Sequence, residues 1–175
     1  MLNRLFRRGP ARDAGEAMYA ALVSQARDAR LYEALGAPDT VEGRFEVYTL
    51  HLVLLIDRLN AEGAGSKPVS QALFDAYVKA LDAALREMGV GDLSVGKKMR
   101  KLGEALYGRM KSYQAAFEAL PDETPLEDLI QRTVQAEADG TKAPAMAGYA
   151  LAQRAHLAGQ PAQALMRGEI DWVAP

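Results

Sequence analysis

At 175 residues the chain has the length of one domain, enough to bury roughly 70% of its unfolded surface in a single core without covalent staples. It contains no cysteine, which excludes disulfides, thiol catalysis and thiolate metal sites. Its two histidines, His51 and His156, lack metal-site spacing, and the formal charge of −2 is too low for a generally basic nucleic-acid binder, so neither a metal nor a cofactor is expected.

The chain opens on MLNRLFRRGP, a basic stretch followed by polar residues where a signal peptide would be apolar. Arg4, Arg7, Arg8 and Arg12 have no acid among them and sit beside Leu2, Leu5 and Phe6. Residues 1–13 are therefore expected to be flexible and to touch anionic lipid reversibly, on the cytoplasmic face of the inner membrane. The remainder, 14–175, reads as one all-α domain, a bundle of six to seven helices, with no alternating strand and no internal repeat.

A first helix is expected from about Ala14 to Leu35, broken in the middle and ending at Gly36-Ala37-Pro38. Asp39 and Thr40 offer caps for a second, Val41 to Asn60. Phe45, Tyr48, Leu52, Leu54, Leu55, Ile56 and Leu59 make it apolar almost all round, the pattern of a central buried helix. Arg44, His51 and Arg58 interrupt this pattern at heptad spacing. They either pair with acids of a neighbour such as Asp75 or Asp82 or line a groove, and pairing is favoured because a lone buried charge is costly.

The Gly-rich loop Ala61 to Lys67 leads to a third helix, about Pro68 to Met88. Leu73, Tyr77, Leu81, Leu85 and Met88 form its apolar side, and Asp75, Lys79, Asp82 and Arg86 form a ladder of opposite charges. Asp75 and Asp82 lie two turns apart on one face, an arrangement that suits an enzyme's general acid and base, although a basic residue at i+4 would keep each ionised. A supporting role fits that ladder better than catalysis.

Gly89-Val90-Gly91-Asp92 interrupts the helices. Gly89 is expected in the left-handed conformation, with Asp92 or Ser94 capping a fourth helix from about Val95 to Leu120. Gly91 to Lys98 reads G-x-x-x-x-G-K-K, one residue short of a P-loop: Lys98 stands where Ser or Thr must hold Mg²⁺, and a helix precedes it where a strand is needed. Met99, Leu102, Leu106, Met110, Tyr113 and Phe117 share one face of the fourth helix, while Lys97, Lys98, Lys101, Arg109 and Lys111 occupy the other. With Arg100, residues 97–111 hold six basic side chains against Glu104 alone, whereas residues 118–139 hold seven acids and one Arg. Charge segregated in this way steers partners. Lys97, Lys98, Arg100, Lys101, Arg109 and Lys111, with Tyr107, are the candidate partner-binding face. Inside this helix, Gly103 and Gly108 suggest that a neighbouring backbone comes close to at least one of them.

Thr124-Pro125-Leu126-Glu127 has the form of a capping box, so a fifth helix should start there and fade near Gly140. An Ala-rich sixth, about Ala145 to Ala158, should stop at Gly159, and Pro161 should open a short seventh. The longest apolar run, Leu52 to Ile56, falls far short of the roughly 20 residues of a membrane span.

The run FDAYVKALDAALREMGVGDLSVGKKMRKLGEALYGR, preceded by TVEGRFEVYTLHLVLLIDRL, resembles the ubiquinol–cytochrome c chaperone family over about residues 31–117, with LREMGVGD-x-x-VGK as its specific core. Residues 1–30 and 120–175 carry no matching motif. The resemblance implies a helical, non-enzymatic assembly factor for the cytochrome bc1 complex with cytochrome b as client, without a cofactor or a small-molecule substrate. It also implies a contact with the ribosome's tunnel exit or a small assembly partner, as in mitochondrial members. Two other readings stand beside it: a ribosome- or RNA-binding module using the basic face, with Tyr107 and Tyr113 as stacking candidates, and an enzyme using Asp75 and Asp82.

Overall fold

The computed structural model of the chain describes residues 9–136 and 138–175. In chain order its elements are α1 (Pro10–Ala26), α2 (Ala29–Glu33), α3 (Val41–Ala61), a 3-10 turn (Gly63–Ser66), α4 (Lys67–Glu87), α5 (Asp92–Glu118), α6 (Thr124–Arg132), α7 (Ala143–Ala158) and α8 (Ala162–Leu165). The fold is all-α, and no described helix is long and apolar enough to cross a membrane. The lipid-touching segment expected at Leu2 to Arg12 lies outside the described residues as far as residue 8. Beyond it, α1 begins four residues before the expected Ala14, and Arg12 pairs with Glu16 at 3.0 Å.

Helix α3 sits at the centre because it is touched by α1, α4, α5 and α7. Thirteen of its 21 residues are buried, which is why its sequence cannot afford a continuous polar stripe. Thr40 caps it, accepting the Gly43 N–H at 3.0 Å, while Asp39 turns instead to Arg44 at 2.6 Å. Helix α4 lies against both α1 and α3, and the Thr49 and Tyr77 hydroxyls join α3 to α4 in the core at 2.9 Å. Helix α6 bridges α5 and α7.

Backbones come closest where small residues permit it, and the sequence misplaces the spot. A Cβ on Gly15 would stand 2.6 Å from the Ala72 carbonyl carbon of α4, and one on Gly43 2.1 Å from the Pro38 oxygen. Gly103 and Gly108 instead lie on the exposed face of α5, with nothing within 4 Å of where a Cβ would be. Gly103→Ala and Gly108→Ala should therefore each stabilise the fold by up to about 1 kcal/mol through helix propensity alone. A higher melting midpoint is the expected readout, and a lower one would mean that something covers these positions.

Other boundaries were only partly legible. The first helix is two, because Asp28 accepts the Arg30 N–H at 2.9 Å and starts α2. Helix α5 begins at Asp92 with the extended Gly91 as its cap, so neither Asp92 nor Ser94 serves. No capping box forms at α6: Asp122 accepts the Thr124 N–H at 3.1 Å, which draws Thr124 into the first turn, and the helix ends at Arg132, short of Gly140. Gly89 does have the expected left-handed backbone, with φ of +81°. Gly89→Val should destabilise by about 1–2 kcal/mol, measured by denaturant unfolding, and a variant of equal stability would contradict that conformation.

Candidate partner-binding groove

The first half of α5 stands out from the bundle. Between residues 91 and 105 only Val95 is buried, and Leu93 is fully exposed. Lys97, Lys98, Arg100 and Lys101 are all exposed on this projecting part, and among the described residues no carboxylate forms an ion pair with any of them. Such side chains are open to a partner.

Arg109 does not belong with them. Its guanidinium forks onto Glu46 of α3, with Nε at 2.9 Å and Nη2 at 2.8 Å from the two carboxylate oxygens. Glu46 is only 8% exposed, and a carboxylate that deep requires a partner, so Arg109 fastens α5 to α3. Lys111 and Tyr107 are exposed further along α5, the ammonium 5.8 Å from the ring centre, and neither reaches the groove described next.

Beside Lys98 and Lys101 an open groove of about 880 Å³ runs between α3, α4 and α5. Phe45 and Tyr48 of α3, Ala80, Leu81 and Ala84 of α4 and Leu102 of α5 give it an apolar lining. It exists because alanines at 80, 83 and 84 are too short to fill the space between their bulkier neighbours. Val41 and Met88, 59% and 53% exposed, extend the apolar surface to the mouth. Arg27, Arg44, Lys98 and Lys101 line it together with only two acids, Glu42 and Glu87. The structure thus joins Lys98 and Lys101 to Arg44, which the sequence had placed in a separate row. Phe45, Tyr48 and Leu81 read as core in the sequence but are half-buried, and the only hint of a trough was the alanine cluster opposite them.

The row Arg44, His51 and Arg58 pairs with neither Asp75 nor Asp82. Arg44 bonds to Asp39, 5.8 Å above the ring of Tyr32. His51 is wholly buried, with Nδ1 2.8 Å from the Val47 carbonyl and Nε2 2.7 Å from the Tyr149 hydroxyl. A carbonyl can only accept, so the proton is on Nδ1 and Nε2 accepts from Tyr149. Both nitrogens are then occupied, and none is left for haem or metal. Arg58 donates to the carbonyls of Leu157 at 2.8 Å and Gln160 at 3.0 Å and pairs with Glu62. His51 and Arg58 turn towards α7, while Arg44 lines the groove and is held by Asp39, so the expected pairs with Asp75 and Asp82 do not form. Asp75 is exposed and accepts from Gln71 at 2.8 Å, while Asp82 pairs with Arg86 at 2.7 Å and Arg86 also reaches Asp92. The two aspartates line no described cavity, and of the expected ladder only the Asp82–Arg86 rung forms among the described residues, since Asp75 meets Gln71 where Lys79 was expected.

Comparison with known proteins follows the same outline. Residues 33–172 match the sequence profile of the family described as ubiquinol-cytochrome C chaperone, so the family extends well past residue 117 into the α6–α8 region. No curated protein sequence matches. The fold is similar to a crystal structure of the Cbp3 homolog from Brucella abortus, with a TM-score of 0.84 and 33% identity over 99% of this chain and 97% of that one. With a profile match over most of its length and a relative that shares both sequence and fold, the chain belongs to the ubiquinol–cytochrome c chaperone family.

Proposed function

We propose that the chain is an assembly factor for the cytochrome bc1 complex that holds newly made cytochrome b at the projecting edge of α5, near the cytoplasmic surface of the inner membrane. Family membership supports the assembly role. The single observation that carries the choice of surface is the juxtaposition of Lys98 and Lys101, which form no ion pair among the described residues, with an open apolar groove. A membrane-protein client presents apolar helices before insertion, and an apolar trough with a charged edge suits such a segment. Asp82 meets Arg86 and Asp75 meets Gln71 on the surface, and neither lines the groove, which supports a binding role.

Lys97→Glu, Lys98→Glu and Lys101→Glu together should abolish co-purification with cytochrome b while leaving helicity and melting temperature nearly unchanged, because all three are exposed and none forms an ion pair among the described residues. Equal recovery of cytochrome b by the folded variant would refute the assignment of this surface. Recovery of ribosomal RNA by the unaltered chain, lost in the variant, would favour the RNA-binding reading.

A further inference from the structure

The lining of the groove says more about its occupant than that it is apolar. Its walls are helices, with no strand edge among the described residues, and its surface is largely alanine, leucine and aromatic side chain. An extended peptide laid there would bury N–H and C=O groups with few partners to satisfy them. A helix brings its backbone bonds with it and needs only an apolar stripe.

The charges are also one-sided. Arg27 donates to the Tyr48 hydroxyl at 3.0 Å and Arg44 is held by Asp39, so two of the four lining cations have work inside the chain. Lys98 and Lys101 have no such partner among the described residues, and they stand one turn apart along α5 with Leu102 beside them at the lining. Their spacing matches carboxylates one turn apart on a helix lying alongside.

We propose that the groove takes an amphipathic helix from a client protein, with its apolar stripe on Phe45, Tyr48, Leu81 and Leu102 and an acidic flank against Lys98 and Lys101. This deepens the chaperone reading and rests on it for the source of the helix. It specifies the chemistry recognised: leucine-rich on one face and glutamate or aspartate at i and i+3 or i+4 on the side facing α5.

The test uses the full chain and two labelled synthetic helices with leucines at i, i+3, i+4 and i+7, one flanked by glutamates and one by lysines. Fluorescence anisotropy should show the glutamate peptide bound at least about tenfold more tightly, and Lys98→Glu with Lys101→Glu should reverse the preference. Ala84→Glu, at an exposed lining position, should weaken both peptides, with circular dichroism confirming that it folds. Equal binding of the two peptides, or no binding of either, overturns the inference. Its failure is separable from that of the chaperone reading: cytochrome b crosslinked at position 101 without peptide preference would remove only the groove chemistry. Peptide preference without that crosslink would keep the chemistry and remove the client.

Discussion

Acidification from pH 7 to pH 4 is expected to remove about 3 kcal/mol of folding stability through His51 alone. Burial pushes its pKa from the ordinary 6.5 down to about 4, opposed only in part by the bond to the Val47 carbonyl. Between those values the unfolded chain binds a proton that the folded chain refuses. The contribution is complete above 6.5 and is lost as the pH falls towards 4, below which both states are protonated. Protonation would also place an Nε2–H against the Tyr149 hydroxyl, which now donates there and which burial keeps protonated up to about 12. Asp28, held low by Arg30 at about 2, acts in a separate window, its contribution fading only as the pH falls from 3.8. His51→Gln should accordingly flatten the stability profile between pH 6.5 and 4 while leaving the more acidic part. Urea unfolding across this range is the measurement, and an unchanged slope in the variant would contradict a neutral buried imidazole.

Gly15→Val is expected to destabilise by about 3 kcal/mol, because the added carbons fall on the backbone of α4 at Ala72 and the two helices must part. The comparison with α5 sharpens this. Gly15→Ala and Gly103→Ala make the same chemical change in a helix, yet the first should lower the melting midpoint and the second raise it. Equal signs would mean that α1 and α4 do not approach as described.

These two positions also show what was legible in the sequence and what was not. Helix punctuation could be read locally: Thr40 caps α3, Gly89 ends the α4 corner in the left-handed region and Pro161 precedes α8. Each depends on a few adjacent residues. Gly15 gave no local sign of its role, since a helical glycine is close-packed or exposed according to which helix lies opposite. Arg44, His51 and Arg58 were picked out as needing partners, but Asp39 lies just before the helix, Glu62 lies one turn beyond Arg58, and Tyr149 and the end of α7 lie 98 to 102 residues away, a separation no periodicity encodes. Arg109 was placed on the outer half of its helix by angle alone, whereas a long side chain can reach back to a buried Glu46. The groove needed three helices to be seen at once. Its cationic edge was visible in the sequence and its apolar lining was not, because half-buried Phe45 and Tyr48 look the same as core.

Whether the α5 edge faces a client is decided most directly by a photoreactive residue at position 101 of the full chain, irradiated in growing cells. A crosslink to newly made cytochrome b, weakened when Lys97 and Lys98 are reversed to Glu, is the predicted result. Crosslinks to ribosomal RNA, or to nothing while the chain remains folded, would contradict it.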